Sequence, residues 1–286
     1  MVSSIYDDAR TISFDDIRLR VVDTGPRDGE TVLLLHGWPD SANLWRHQIP
    51  VLVDAGYRVI APDQRAFGES DVPADVASTH MFFAVQDALR ILDDSGIERA
   101  HVVGHDWGAA VAWGVGFTAP DRVISLTAMS VGHPAAFSGA GFPQREKSWY
   151  MLLFQFDGVA EQWLSDNDWA GLRAWTREEP EVEQWIPDLS RPGRLTASLN
   201  WYRATVPPES LLGGGPDLPP VAAPTLGIWS SDDMALVEAQ MTDSQQYVSG
   251  EWRYERLDGV GHWMPVAAPE HVNALLLEWI GKHPAS

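Results

Sequence analysis

The chain has 286 residues, 45% of them hydrophobic, with 40 acidic against 20 basic side chains and no cysteine. That length suits one large α/β unit carrying an insertion, and the composition excludes wholesale disorder, a disulfide framework and thiolate chemistry. A net charge of −20 repels phosphate backbones and anionic lipid, so nucleic acid and membrane surfaces are not expected partners.

The opening MVSSIYDDAR lacks a basic patch followed by an apolar stretch, and no apolar run approaches the ~20 residues of a membrane helix. A soluble cytoplasmic protein is expected. Residues 11–24 alternate apolar and polar around Asp15-Asp16, which predicts a β-hairpin. Short apolar runs follow at Val32–Leu35, Tyr57–Ala61, His101–Val103, Val123–Met129 and Thr225–Trp229. Runs without alternation suit strands of a parallel sheet covered on both faces.

Between them, Met81, Val85, Ala88, Leu89 and Leu92 repeat at helical spacing, and Trp107 to Phe117 is small and apolar. A last helix starts near Pro269 and carries Val272, Leu275, Leu276, Trp279 and Ile280. From Pro134 to Pro220 the strand runs vanish, and helical stretches carry several tryptophans until Leu212-Gly213-Gly214-Gly215-Pro216, which is expected to be a flexible joint. The expected architecture is a mostly parallel, doubly wound α/β sheet, residues 1–133 and 221–286, with a helical cap at 134–220.

Ala100-His101-Val102-Val103-Gly104-His105-Asp106-Trp107-Gly108 joins an apolar strand to a helix through a turn flanked by glycines. This is the strand–elbow–helix shape of G-x-S-x-G, with Asp106 in the serine's place. Upstream, His36-Gly37-Trp38-Pro39 ends a strand where such an elbow takes one backbone N–H of an oxyanion hole; the other comes from the residue after the nucleophile. Those donors are Trp38 and Trp107, and the Trp38–Pro39 bond is a candidate for the cis form. Downstream, a strand ends in Asp232-Asp233, and Gly261-His262 follows on a glycine-rich loop. An aspartate at a helix start is more often a cap, and a loop histidine more often plain surface. The order nucleophile, acid, histidine turns both readings toward chemistry. Asp233, directly before Met234, is preferred over Asp232 as the acid.

With these motifs, and with Asp63-Gln64-Arg65-Ala66-Phe67-Gly68, the sequence resembles the epoxide hydrolase and haloalkane dehalogenase branch of the α/β-hydrolases over nearly its whole length. The resemblance implies an α/β-hydrolase fold. It also implies an alkyl ester on Asp106, hydrolysed by water that His262 activates with Asp233 behind it. A carboxylate fits this independently: its reference pKa of about 4 leaves it ionised at neutral pH and able to attack an sp³ carbon.

An epoxide oxygen needs a proton when the ring opens, whereas a halide needs only N–H donors. Leu199-Asn200-Trp201-Tyr202-Arg203 and Trp149-Tyr150-Met151-Leu152-Leu153-Phe154 resemble the cap stretches that carry the family's two ring-opening tyrosines. Tyr202 and Tyr150 are therefore the expected acids, with Trp38, Trp107 and Phe154 around the substrate. The expected activity is hydrolysis of a small lipophilic epoxide to a vicinal diol. The alternatives are haloalkane dehalogenation by the same triad, since Trp107 suits a halide equally, and a non-catalytic sensor of the same fold. No metal spacing is seen and no cofactor is expected; homodimerisation stays open. His36 and Arg65 are read as braces beneath the site and His133 as structural, while His105 is read equally as orienting Asp106 or contacting water and as a structural hydrogen bonder.

Overall fold

Thr31–Leu35 (β3), Arg58–Pro62 (β4), Ala100–His105 (β5), Val123–Met129 (β6) and Thr225–Ser230 (β7) are buried along their whole length. The computed structural model, which describes residues 5–177, 179–211 and 217–285, joins them to Ala9–Ser13 (β1), Arg18–Thr24 (β2) and Trp252–Leu257 (β8). The eight strands form one sheet in the order β1-β2-β4-β3-β5-β6-β7-β8. β1 pairs antiparallel with β2, as does β2 with β4, and the remaining neighbours are parallel. The opening hairpin turns where expected, with Phe14 N–H donating to Ile17 O at 2.8 Å.

Helices cover both faces of the sheet, as buried parallel strands require. They are α1 (Gln48–Asp54), α2 (Met81–Asp94) and α3 (Trp107–Thr118) before β6. The small residues of α3 have a packing reason: a Cβ on Gly114 would stand 2.5 Å from Val85 Cγ2 on α2.

Between the adjacent strands β6 and β7 the chain runs through α4 (Pro134–Gly139), α5 (Gly141–Lys147), α6 (Trp149–Leu153), α7 (Val159–Trp175), α8 (Val182–Leu189) and α9 (Arg194–Thr205). Asp166–Trp169 leave helical geometry and split α7 in two. The glycine-rich stretch Leu212–Pro216 lies outside the described residues. After β7 come α10 (Glu238–Thr242), then β8, α11 (Met264–Ala267) and α12 (Pro269–Lys282). α4 packs on α10 and on Asp243–Tyr247, so the insertion begins in contact with the sheet half of the molecule. No helix among the described residues is long and apolar enough to cross a membrane.

Candidate active site

β5 delivers Asp106 to a turn at φ 53°, ψ −122°, immediately before α3. A non-glycine residue there costs on the order of 1–3 kcal/mol, held by the packing around it. A Cβ on Gly104 would lie 2.1 Å from Gly108 O, and one on Gly108 would lie 1.9 Å from Leu35 O. A Cβ on Gly37 would stand 2.4 Å from Asp106 Oδ1. Any larger residue at these positions would displace the elbow or the carboxylate.

The close approach of Gly37 brings Trp38 N–H to Asp106 Oδ1 at 2.8 Å, and the Trp107 N–H also donates to the same carboxylate. The Trp38–Pro39 peptide is cis. His36 beneath it accepts from Gln64 N–H through Nε2, at 2.9 Å, and donates from Nδ1 to Gly37 O. That pattern needs a neutral ring, and burial lowers its pKa to about 4. Arg65 pairs with Asp87 through two 2.8 Å bonds and receives the Trp201 indole N–H on its carbonyl.

The loop after β7 brings Asp233 to His262, with Asp233 Oδ2 2.9 Å from His262 Nδ1. Ala235 and Leu236 N–H donate to Asp233 Oδ1 at 2.8 and 2.9 Å. Asp232 is exposed and, among the described residues, its carboxylate receives only the Ser231 hydroxyl. His262 Nε2 faces Asp106 Oδ2 at 3.6 Å. Burial opposes charge on all three groups, but their mutual attraction outweighs it. His262 is raised to about 10 by Asp233 and Asp106, and both carboxyls stay below the usual range. His105, neutral and lowered to about 4 by burial, donates from Nε2 to His262 O at 2.9 Å.

Tyr150 on α6 and Tyr202 on α9 are buried with ring centroids 6.0 Å apart. Their helices are bridged by Gln155 Nε2, which donates to Tyr202 O and Val206 O, and by Arg203 Nε, which donates to Phe154 O at 2.9 Å. Both tyrosines, with Asp106, Trp107, Val131 and Leu236, line a cavity of 620 Å³. Burial raises both phenols well above their ordinary pKa, and the Asp106 charge raises them further. The Trp107 ring meets the Tyr202 ring edge to face, centroids 5.1 Å apart, and its polarity works weakly against the rise.

Trp38 and Phe154 differ from expectation, for they stand behind this wall. The Trp38 indole turns away to donate to Ser198 Oγ at 3.0 Å and packs on Phe154 and Trp175. Trp38 meets Asp106 through its backbone, and its ring backs Tyr202 edge-on with centroids 6.3 Å apart. His133 caps α4, accepting from Ala135 N–H at 3.2 Å, and stacks on Tyr247.

Sequence reasoning passed over three residues around Asp233. Ser130 Oγ lies 3.1 Å from both Asp233 Oδ2 and His262 Nδ1. Lys147 Nζ donates to Asp233 O and to Leu236 O, and Gln144 holds Ala235 O and Val237 N. The one available signal was that Ser130 ends a buried parallel strand, at the carboxyl edge where α/β sheets place their sites. Among the described residues no three His, Asp or Glu side chains converge as metal ligands.

The pattern of the alpha/beta hydrolase fold family matches residues 30–269. Epoxide hydrolase A of Mycobacterium tuberculosis is 33% identical, covering 95% of this chain and 96% of its own. AB hydrolase superfamily protein YfhM of Bacillus subtilis is 34% identical over 94% of this chain and 96% of its own. A solved structure described among novel epoxide hydrolases from metagenomes of hot environments superposes with a TM-score of 0.84 at 32% identity, covering 95% of this chain and 97% of that one. A glycine-locked Asp106 elbow, faced by a histidine that an acid supports, agrees with these likenesses: the chain is an α/β-hydrolase-fold enzyme and belongs to the epoxide hydrolase family.

Proposed function

We propose that this enzyme converts lipophilic epoxides to vicinal diols through an alkyl ester on Asp106, with residues 134–220 acting as the cap over a core of 1–133 and 221–286. The observation that carries this reading is the convergence of Asp106 and two buried tyrosines on one largely apolar cavity, with His262 at the carboxylate.

In the first step Asp106 Oδ attacks an epoxide carbon, a C–O ester bond forms and the ring C–O bond breaks. The alkoxide takes the proton of Tyr202 or Tyr150. The charge on Asp106 is consumed as the bond forms, and with it one of the influences holding the phenols' pKa up. The phenols thus become better acids as the alkoxide develops. The tyrosinate recovers its proton from the His262 imidazolium, which leaves a neutral ring.

In the second step that ring takes a proton from water, whose oxygen attacks Asp106 Cγ. The Trp38 and Trp107 amides stabilise the oxyanion formed there. As the ester bond breaks, the leaving diol oxygen takes the second hydrogen of the attacking water, and Asp106⁻ and His262⁺ are restored. Epoxide and water are consumed and every proton is accounted for.

Haloalkane dehalogenation would use the same nucleophile but would need the Trp107 indole free for the halide. Here two phenols line the cavity beside Asp106, a proton source that an epoxide oxygen needs and a halide does not. The sensor reading has no disrupted catalytic group in its favour.

Purified enzyme should form diol from an aryl epoxide and release no halide from a 1-bromoalkane, with Asp106→Asn inactive. In a single turnover with excess enzyme in ¹⁸O water, the label should enter Asp106 and not the first diol molecules. Tyr202→Phe should lower kcat by roughly 10²-fold or more at near wild-type stability. Halide release without diol would instead assign the dehalogenase reaction.

A further inference from the structure

Every lone-pair direction of the Asp233 carboxylate is filled, and one of its two side-chain donors has no part in the mechanism above. Oδ1 takes the Ala235 and Leu236 amides, while Oδ2 takes His262 Nδ1 and the Ser130 hydroxyl. Ser130 is fully buried, immediately follows β6 and sits at φ +71°. That left-handed conformation is uncommon for a non-glycine residue.

Its backbone is fixed from both sides: Ser130 N–H donates to Ile228 O at 2.8 Å, and Ser130 O accepts from Gln240 Nε2 at 2.9 Å. The hydroxyl is thereby held 3.1 Å from both Asp233 Oδ2 and His262 Nδ1. A plain end to a strand requires neither the strained φ nor a hydroxyl at the junction of acid and base.

We infer that Ser130 is a positioning residue for the hydrolytic half-reaction, donating to Asp233 Oδ2 so that the carboxylate holds His262 in place without over-stabilising its charged form. The inference rests on the reading of His262 as the base that activates water.

A hydrogen bond donated to a carboxylate disperses its charge and weakens its hold on a neighbouring imidazolium. Without Ser130 the full density of Oδ2 faces Nδ1–H, the imidazolium is favoured, and less neutral ring is present at pH 7 to accept a proton from water. Ser130 also fixes the plane of the carboxylate, and with it the direction of Nε2.

The other titratable groups facing the ring are Asp106 from the elbow, His105 from β5 and Glu179 from the insertion. Lys147 on α5 and Tyr150 on α6 bear on Asp233. Substituting Ser130 changes none of these groups chemically.

The test uses the Asp106→Asn enzyme, whose neutral amide stands in for the ester, and reads the His262 titration by ¹⁵N NMR. Ser130→Ala and Ser130→Gly should each raise the pKa of the ring by about 0.5–1 unit, a three- to tenfold loss of neutral base where the ring is mostly charged. Glycine adopts the positive φ freely, so this variant separates the missing hydroxyl from backbone strain. Ser130→Cys, with a weaker donor of similar shape, should fall between.

In the otherwise wild-type enzyme the same variants should slow ester decay at pH 7 by a similar factor and leave ester formation within about twofold. An unchanged titration in both the Ala and Gly variants would overturn the proposal. A downward shift would do so too, because the hydroxyl would then act chiefly as an acceptor from the imidazolium. The NMR titration needs no turnover, so a failure to detect any ester would count against the Asp106 mechanism without deciding the question of Ser130.

Discussion

His262 is charged in the resting site because two carboxylates face it, and its proposed work depends on losing one of them. With Asp106 ionised the ring is raised to about 10. Once Asp106 is an ester only Asp233 remains, and burial pulls the pKa down. The two half-reactions should therefore respond to pH in opposite directions. Ester formation draws on the imidazolium proton, so it should be level near neutrality and fall as pH rises through about 10. Ester decay needs the neutral ring, so it should rise with pH through an apparent pKa below that value. Rapid-quench measurement of both rates from pH 6 to 10 would show this; ester decay that slows with rising pH would refute the role given to His262. Asp106, His262 and Asp233 were legible in the sequence because each lies in a local motif: a glycine-flanked elbow or a loop after a strand. Ser130 and Lys147 were not, since their partner Asp233 lies 103 and 86 positions away. Trp38 shows a different limit. Its motif marks a backbone donor, and nothing in that motif says where the indole goes.

At the scale of elements, the loop that carries Asp233 is held by α5 of the insertion as much as by the sheet. Gln144 and Lys147, one helical turn apart, together bind the carbonyls of Asp233, Ala235 and Leu236 and the amide of Val237. Gln144 is itself buried, and a lost buried hydrogen bond of this kind costs about 1–3 kcal/mol. Gln144→Ala should therefore speed amide exchange at Val237, and with it at Ala235 and Leu236, by roughly ten- to a hundredfold at that energy, while β5 and β6 keep full protection. Exchange at these amides equal to wild type would mean that the sheet alone holds the acid loop. The strands of the parallel centre were predictable because burial on both faces leaves continuous apolar runs. β8 was passed over for the converse reason: as an edge strand it mixes Arg253, Glu255 and Arg256 with Trp252 and Tyr254 and is only half-buried. The break in α7 was not readable either. Asn167 and Asp168 tolerate positive φ, but Trp169 joins them there, and Gly171 is needed because a Cβ would stand 2.0 Å from Trp163 O.

At the scale of the whole molecule, the question is whether the helical insertion and the sheet can come apart. Three indole N–H groups cross between them: Trp38 to Ser198 Oγ, Trp201 to Arg65 O and Trp185 to Asp40 Oδ2, at 3.0, 3.1 and 3.1 Å. Asp40 is buried and raised to about 7, chiefly by desolvation, so stripping away its indole would leave a polar group with too few partners. The aromatic cluster of Trp38, Trp107, Tyr150, Phe154, Trp175 and Tyr202 is likewise built from both halves. Ion pairs also cross, Arg46 with Glu181 at 2.7 Å and Arg191 with Glu69 at 3.2 Å. Partly exposed pairs of this kind contribute only about 0–1 kcal/mol each. If the indoles and the aromatic cluster make the joint, urea unfolding should be one transition, with tryptophan fluorescence and far-UV circular dichroism coinciding. At 1 M NaCl, where the Debye length is about 3 Å, the two probes should still coincide. Separation of the two curves in salt would show that charge joins the halves, and the buried tryptophan bonds would then be packing detail without a joining role.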